Sequence, residues 1–157
     1  MIFVGESMPN RPVHIATSSP AGAVFAHHKA PLNNEIHRFQ ETLGGAVGGL
    51  LGGVLPDVLD PPFHPGHRAL AHALIPVGAS AAAWIRGLDG WQGYLRRKAD
   101  DYSRLRLHTA DPLLAAWYGA VAIALRMLSG LLAGLVAGYL THIALDFTTP
   151  RCLPLVS

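Results

Sequence analysis

The stretch "GGAVGGLLGGVL", residues 44–55, places glycines at spacings of three and four along a segment otherwise made of Ala, Val and Leu. Read as helix, it presents a smooth face against which another helix can lie almost backbone to backbone, the kind of contact that small residues allow in bilayers. The segment therefore predicts a helix over about 35–55 that packs closely, with Pro56 as its stop. The rest of the 157 residues agrees with a lipid-facing chain: 50% are hydrophobic, 14% are charged, and mean hydropathy is +0.30. A globular domain carries about 25% charged residues. Strand-like alternation persists nowhere and no period of 20–50 residues repeats, so the expected fold is all-α, a membrane-associated helical bundle in one domain.

Working outward, a first helix is expected at about 13–28, with Pro20 and Gly22 weakening its first half, followed by the turn "KAPLNNE". Residues 56–66, "PDVLDPPFHPG", read as irregular loop. A third helix is expected at about 67–87 and a polar part at 86–111, holding an amphipathic surface helix near 91–107. Asp111 and Pro112 then form an N-cap and first-turn signal. From Leu113 to Phe147 the chain is apolar except for Arg126, Thr141, His142 and Asp146, with Ser129–Gly130 as a point of bending. We expect one long helix there: about four main helices in all, plus the amphipathic one. Residues 1–10 read as a flexible leader without signal-peptide character, and Met8 is a second candidate start.

Several polar residues stand where this pattern does not call for them. His142 and Asp146, at i and i+4, project from one helix face and can share an ion, or simply bond to each other. Ionisable groups in apolar spans are costly and are usually retained for chemistry. Asp57, Asp60, His64, His67, Arg68 and His72 fall within 16 residues of each other. Of these, Asp60 alone could cap a turn and His64 reads as solvated. Arg68 could hold a phosphate or carboxylate, or anchor the lipid interface. A hairpin of the first two helices brings His14 to the same side as Asp57, and a last helix without reversal brings His142 and Asp146 there too. His27, His28, His37 and His108 fall at the opposite end, as surface histidines.

These pieces together resemble a known family, the bacterial inner-membrane metal-dependent hydrolases, which include LexA-regulated members. The matching segments are His14, "GGLLGGVLPDVLDPP" at 48–62, "HRALAH" at 67–72 and "GYLTHIALDFTTPRCLPL" at 138–155. The resemblance implies His14, Asp57, His67, His72, His142 and Asp146 as metal ligands, and a distant similarity to zinc-dependent phospholipase C and P1-type nucleases. Ala69, Ala71 and Ala73 depart from the family's usual Gly, Thr and Ser, and the two aspartates are separated by two residues instead of one, which makes Asp60 the less secure ligand.

With Cys152 the only cysteine, ligands must be imidazole and carboxylate, a set suited to Zn²⁺ first and to Mn²⁺ or Fe²⁺ next, as one or two ions. The expected function is hydrolysis of a phosphoester or lipid-like substrate by a metal-activated water, with Asp60 as general base and Arg68 binding the substrate's anion. The alternative is a non-catalytic membrane protein that binds or transports a metal ion or proton; a third reading treats the six residues as hydrogen-bonded helix glue. A formal charge of +2 gives no reason to expect nucleic acid, and membrane lipid is the expected partner. Lys29, Arg38, Arg86, Arg96, Arg97, Lys98, Arg104 and Arg106 crowd the end away from the candidate ligands. The positive-inside rule then places the chain as a multi-pass protein of the bacterial inner membrane with its metal side facing the periplasm.

Overall fold

The computed structural model describes residues 11–59 and 74–147, and among them the chain forms four helices and no strand. They are α1 (Arg11–Lys29), α2 (Glu35–Leu59), α3 (Leu74–His108) and α4 (Pro112–Phe147). Side chains set the starts of two of them. The Asn34 carboxamide accepts the His37 N–H at 3.1 Å, and Asp111 accepts the N–H groups of Leu113 and Leu114 at 2.8 and 3.2 Å. Each satisfies donors that have no partner inside a helix.

Two boundaries differ from those expected, the end of α2 and the join within α3, while α1 and the single long α4 agree. Helix α2 runs through Pro56 to Leu59, and α1 runs through Pro20. Proline removes one ladder bond and displaces a carbonyl, but packing on both sides of a fully buried Pro56 keeps the helix going. The amphipathic stretch is the second half of α3 and has no break from the first; Gly87 and Gly90 lower helix propensity without ending the helix. Helix α4 is continuous through Ser129 and Gly130, about 54 Å at 1.5 Å per residue.

The glycines explain the packing. Helix α4 runs parallel to α2 in a fixed register. A Cβ at Gly130, Gly134 or Gly138 would fall 1.8, 2.1 or 2.2 Å from the carbonyl oxygens of Glu41, Gly45 and Gly49 in turn. The opposite side of the contact is as close, with Gly44, Gly48 and Gly52 against the carbonyls of Met127, Leu131 and Leu135. Helix α1 lies antiparallel on the same groove, Gly22 against Gly45 and Gly49. Ser129–Gly130, which reads in the sequence as a bend, is therefore where the Glu41 backbone crosses α4.

Gly134→Ala should destabilise the bundle by about 1–3 kcal/mol or more, because the obstructing atom is backbone and the helices must move apart. Gly87→Ala, which meets nothing within 4 Å, should be neutral or stabilising by up to about 1 kcal/mol. Denaturant unfolding of the two variants checks the contrast; equal effects would contradict the packing account.

Large apolar side chains lie on the described surface and several polar ones lie inside. Phe39, Leu43, Val47, Leu51 and Val58 of α2 are exposed, while His14, Ser18, Glu41, Gln92, Arg126, Ser129, His142 and Asp146 are buried. Two helices, Glu35–Leu59 and Pro112–Asp146, are long and apolar enough to cross a membrane.

Candidate metal centre

Each of three helices carries a row of residues four apart, and each row ends in an ionisable side chain. In α1 the row is His14, Ser18, Gly22, Ala26; in α2 it is Gly45, Gly49, Gly53, Asp57; in α4 it is Gly130, Gly134, Gly138, His142, Asp146. Residues four apart form one ridge of a helix surface. Because small residues hold the backbones together along these ridges, the side chains that end them are delivered to one place.

His142 takes its position from this register. The carbonyls of Glu41, Gly45 and Gly49 abut successive glycines of α4, and the next carbonyl in the series, Gly53, accepts the Nδ1–H of His142 at 2.6 Å. Pro56 lacks the N–H that would bond the Gly52 carbonyl, one residue before Gly53. The bond to Gly53 fixes the His142 tautomer and turns Nε2 toward the neighbouring carboxylates, the orienting role that a carbonyl commonly plays for a ligating histidine.

Around that nitrogen, Asp57 Oδ1 lies at 3.5 Å and Asp146 Oδ2 at 3.6 Å, while the other Asp146 oxygen lies 3.6 Å from His14 Nε2. The Asp146 carboxylate thus straddles two imidazoles, whose rings stack with centroids 4.0 Å apart and planes 24° apart. His14, His142 and Asp146 are all buried, with one potential ligand atom from each within 4.8 Å of the others, and the group could hold a metal ion. The spacing supports that fit. Three nitrogen–oxygen separations of 3.5–3.6 Å exceed ordinary hydrogen bonds. They match the roughly 3.4 Å between donors that each sit about 2.0–2.1 Å from a shared tetrahedral ion. Asp57 is the most open of the four, its side chain 36% exposed.

Of the residues singled out in the sequence, His14, Asp57, His142 and Asp146 are brought together; Asp60, His64, His67, Arg68 and His72 lie outside the described residues. At the far end of the bundle His28 and His108 are exposed, but His27 is engaged by Thr42 and Arg38 at 3.1 and 2.6 Å.

A second buried polar cluster gathers residues of which the sequence pattern marks only Arg126 and Ser129. Glu41, fully buried, receives both Nε and Nη2 of Arg96 at 2.9 and 2.6 Å and the Ser129 hydroxyl at 3.3 Å, while Gln92 donates to the Ser129 carbonyl at 3.0 Å. Arg126, buried beside it, pairs with Asp100. The partners are 26 to 88 residues apart, and no local spacing connects them. The signs in the sequence are Arg126 inside an apolar helix and an acid, Glu41, that begins a glycine row.

Compared with protein-family models, curated proteins and solved structures, the chain matches none of them.

Proposed function

We propose that this chain is a membrane-embedded metal-dependent hydrolase acting on a phosphoester or lipid-like substrate at the end of the bundle where His14, Asp57, His142 and Asp146 meet. The observation that carries this reading is the buried group of His14, His142 and Asp146, at donor-to-donor distances suited to one cation and with Asp57 3.5 Å from His142, inside a bundle that exposes many large apolar side chains. A ligand set without thiolate favours Zn²⁺, with Mn²⁺ or Fe²⁺ next, over Mg²⁺ and Ca²⁺. When bound, such an ion acidifies water and polarises a phosphoryl oxygen. The chain's own residues orient one another. His142 is locked by Gly53, Asp146 spans both rings, and Asp57 is the most exposed of the four. Asp60 as general base, Arg68 on the substrate's anion, and His67 and His72 as further ligands complete the proposed site on the strength of the family resemblance.

The proposed setting is the bacterial inner membrane, crossed several times, with the ligand end at the periplasmic face and the basic end in the cytoplasm. Metal or proton passage is less well supported. Between the metal-centre end and the Glu41 cluster the described helices meet through glycine–backbone contacts and the apolar cluster of Ala26, Leu88 and Ala133.

Elemental analysis of the purified protein should find one or two equivalents of transition metal. Hydrolysis of a chromogenic phosphodiester or a phospholipid should fall by on the order of a hundredfold or more in Asp57→Asn with helicity retained. Wild-type protein without transition metal would overturn the metal reading. Wild-type protein that holds metal but hydrolyses neither probe class would overturn the hydrolase reading.

A further inference from the structure

We infer that the outer face of α3 is a binding site for an anionic phospholipid, an inference that rests on the membrane setting proposed above and concerns the opposite end of the bundle from the metal centre. The inner face of α3, with Leu88, Gln92, Leu95 and Ala99, is buried. On its outer face two open grooves adjoin. The first, about 500 Å³, is lined by Gly87, Gly90, Trp91 and Tyr94 and is mostly apolar. The second, about 560 Å³, continues past the same Tyr94 to Arg97, Lys98, Asp101, Arg104 and Leu107.

Charge decides what fits there. The acids bordering the second groove are already matched, Asp100 by Arg126 and Asp101 by Arg104, and Arg96 is committed to Glu41. Arg97 and Lys98 form no ion pair among the described residues, which leaves two cations at the junction of an apolar groove and a polar one. Arg97 Nη1 lies 3.3 Å from where a Cβ on Gly93 would sit, and Lys98 Nζ is 6.0 Å from the centre of the Tyr94 ring. Both charges therefore border the aromatic residue that divides the grooves.

Smooth and apolar, then aromatic, then cationic, over about 16 Å of helix from Gly87 to Lys98, is the order of acyl chain, interface and headgroup in a leaflet. A Cβ on Gly87 or Gly90 would meet nothing within 4 Å, so no contact among the described residues accounts for two residues that weaken the helix; an acyl chain lying over them does. Arg97 supplies the planar fork that grips phosphate oxygens, and Lys98 adds a point charge. A symmetric second copy would set these unmatched cations against each other across the contact, so a lipid anion is the better complement.

Trp91 reports on the groove. The full chain with Trp84→Phe and Trp117→Phe is reconstituted in vesicles containing chain-brominated phosphatidylglycerol or chain-brominated phosphatidylcholine. Quenching of Trp91 should favour the anionic lipid by roughly tenfold in effective affinity. The preference should vanish in Arg97→Gln/Lys98→Gln, and quenching by either lipid should fall in Gly90→Leu, which fills the groove. Inorganic phosphate should not compete. Equal quenching by both lipids, a preference that survives the double substitution, or protection of Trp91 by cross-linking between copies at Gly87→Cys would overturn the site while leaving the membrane setting intact. Failure of the chain to enter either vesicle would overturn both.

Discussion

Arg96→Ala is expected to destabilise the bundle by about 3–5 kcal/mol, the usual cost of removing one partner from a buried ion pair. The reason lies in what remains. Glu41 is fully buried and its carboxylate is held by two Arg96 contacts and the Ser129 hydroxyl; without the guanidinium, one serine faces a desolvated negative charge. The same arginine donates to the Lys29 carbonyl at 3.0 Å, so the end of α1 loosens as well. Replacing the pair together, Glu41→Met with Arg96→Met, should recover most of the loss, because an apolar pair of similar volume needs no partner. Arg96→Lys should fall between, since an ammonium cannot reproduce the two-pronged contact. Equilibrium unfolding in mild detergent against a denaturing one measures the series. A single Arg96→Ala effect below about 0.5 kcal/mol would put the pair on the level of a surface contact and contradict this account.

His142→Ala should lower apparent metal affinity by about a hundredfold or more. Loss of a residue that only orients a ligand already costs about 10–100-fold, and here the proposed ligand itself is removed. His142 is the hub of the site, within 3.6 Å of both Asp57 and Asp146 and stacked on His14. Removing it leaves His14 and Asp146 with a gap between them. Because a ligand that binds only the folded state stabilises it, chelation should lower the melting temperature of the wild type and leave that of His142→Ala unchanged. Titration calorimetry with Zn²⁺, together with paired melts with and without chelator, checks both. Unchanged affinity in the variant would remove His142 from the metal site, and chelator-insensitive melting of the wild type would argue that the four residues act as helix glue.

Much of the candidate site was legible before the fold. The i,i+4 pair His142–Asp146 in an apolar helix is a local signal, and its meaning follows from the cost of burying such groups. The approach of His14 and Asp57 to that pair depended on counting helix directions, and that count holds only because α4 does not turn back at Ser129–Gly130. What spacing could not supply is the reason for His142's exact orientation. It depends on a carbonyl 89 residues away, which is delivered by a register that no local pattern encodes. Glu41 and Arg96 show the same limit more strongly. Taken singly, one reads as a polar residue at the start of an apolar helix and the other as one base in a basic run.

Sequence by itself determined that the chain is helical, that its helices meet through glycine, and which ionisable side chains sit where apolar ones belong. Each of these is a property of one residue or of neighbours within a turn, set by backbone propensity and by the cost of removing charge from water. Tertiary structure alone decided where the helices end and what each buried polar group faces. Helix α2 passes through Pro56 and α3 absorbs the polar stretch because packing against neighbouring helices outweighs a local stop signal of a few kcal/mol at most. The pairing of Glu41 with Arg96, and of His142 with Gly53, arises from the register between helices, in which a shift of one residue would set a side chain against a backbone that only glycine can approach.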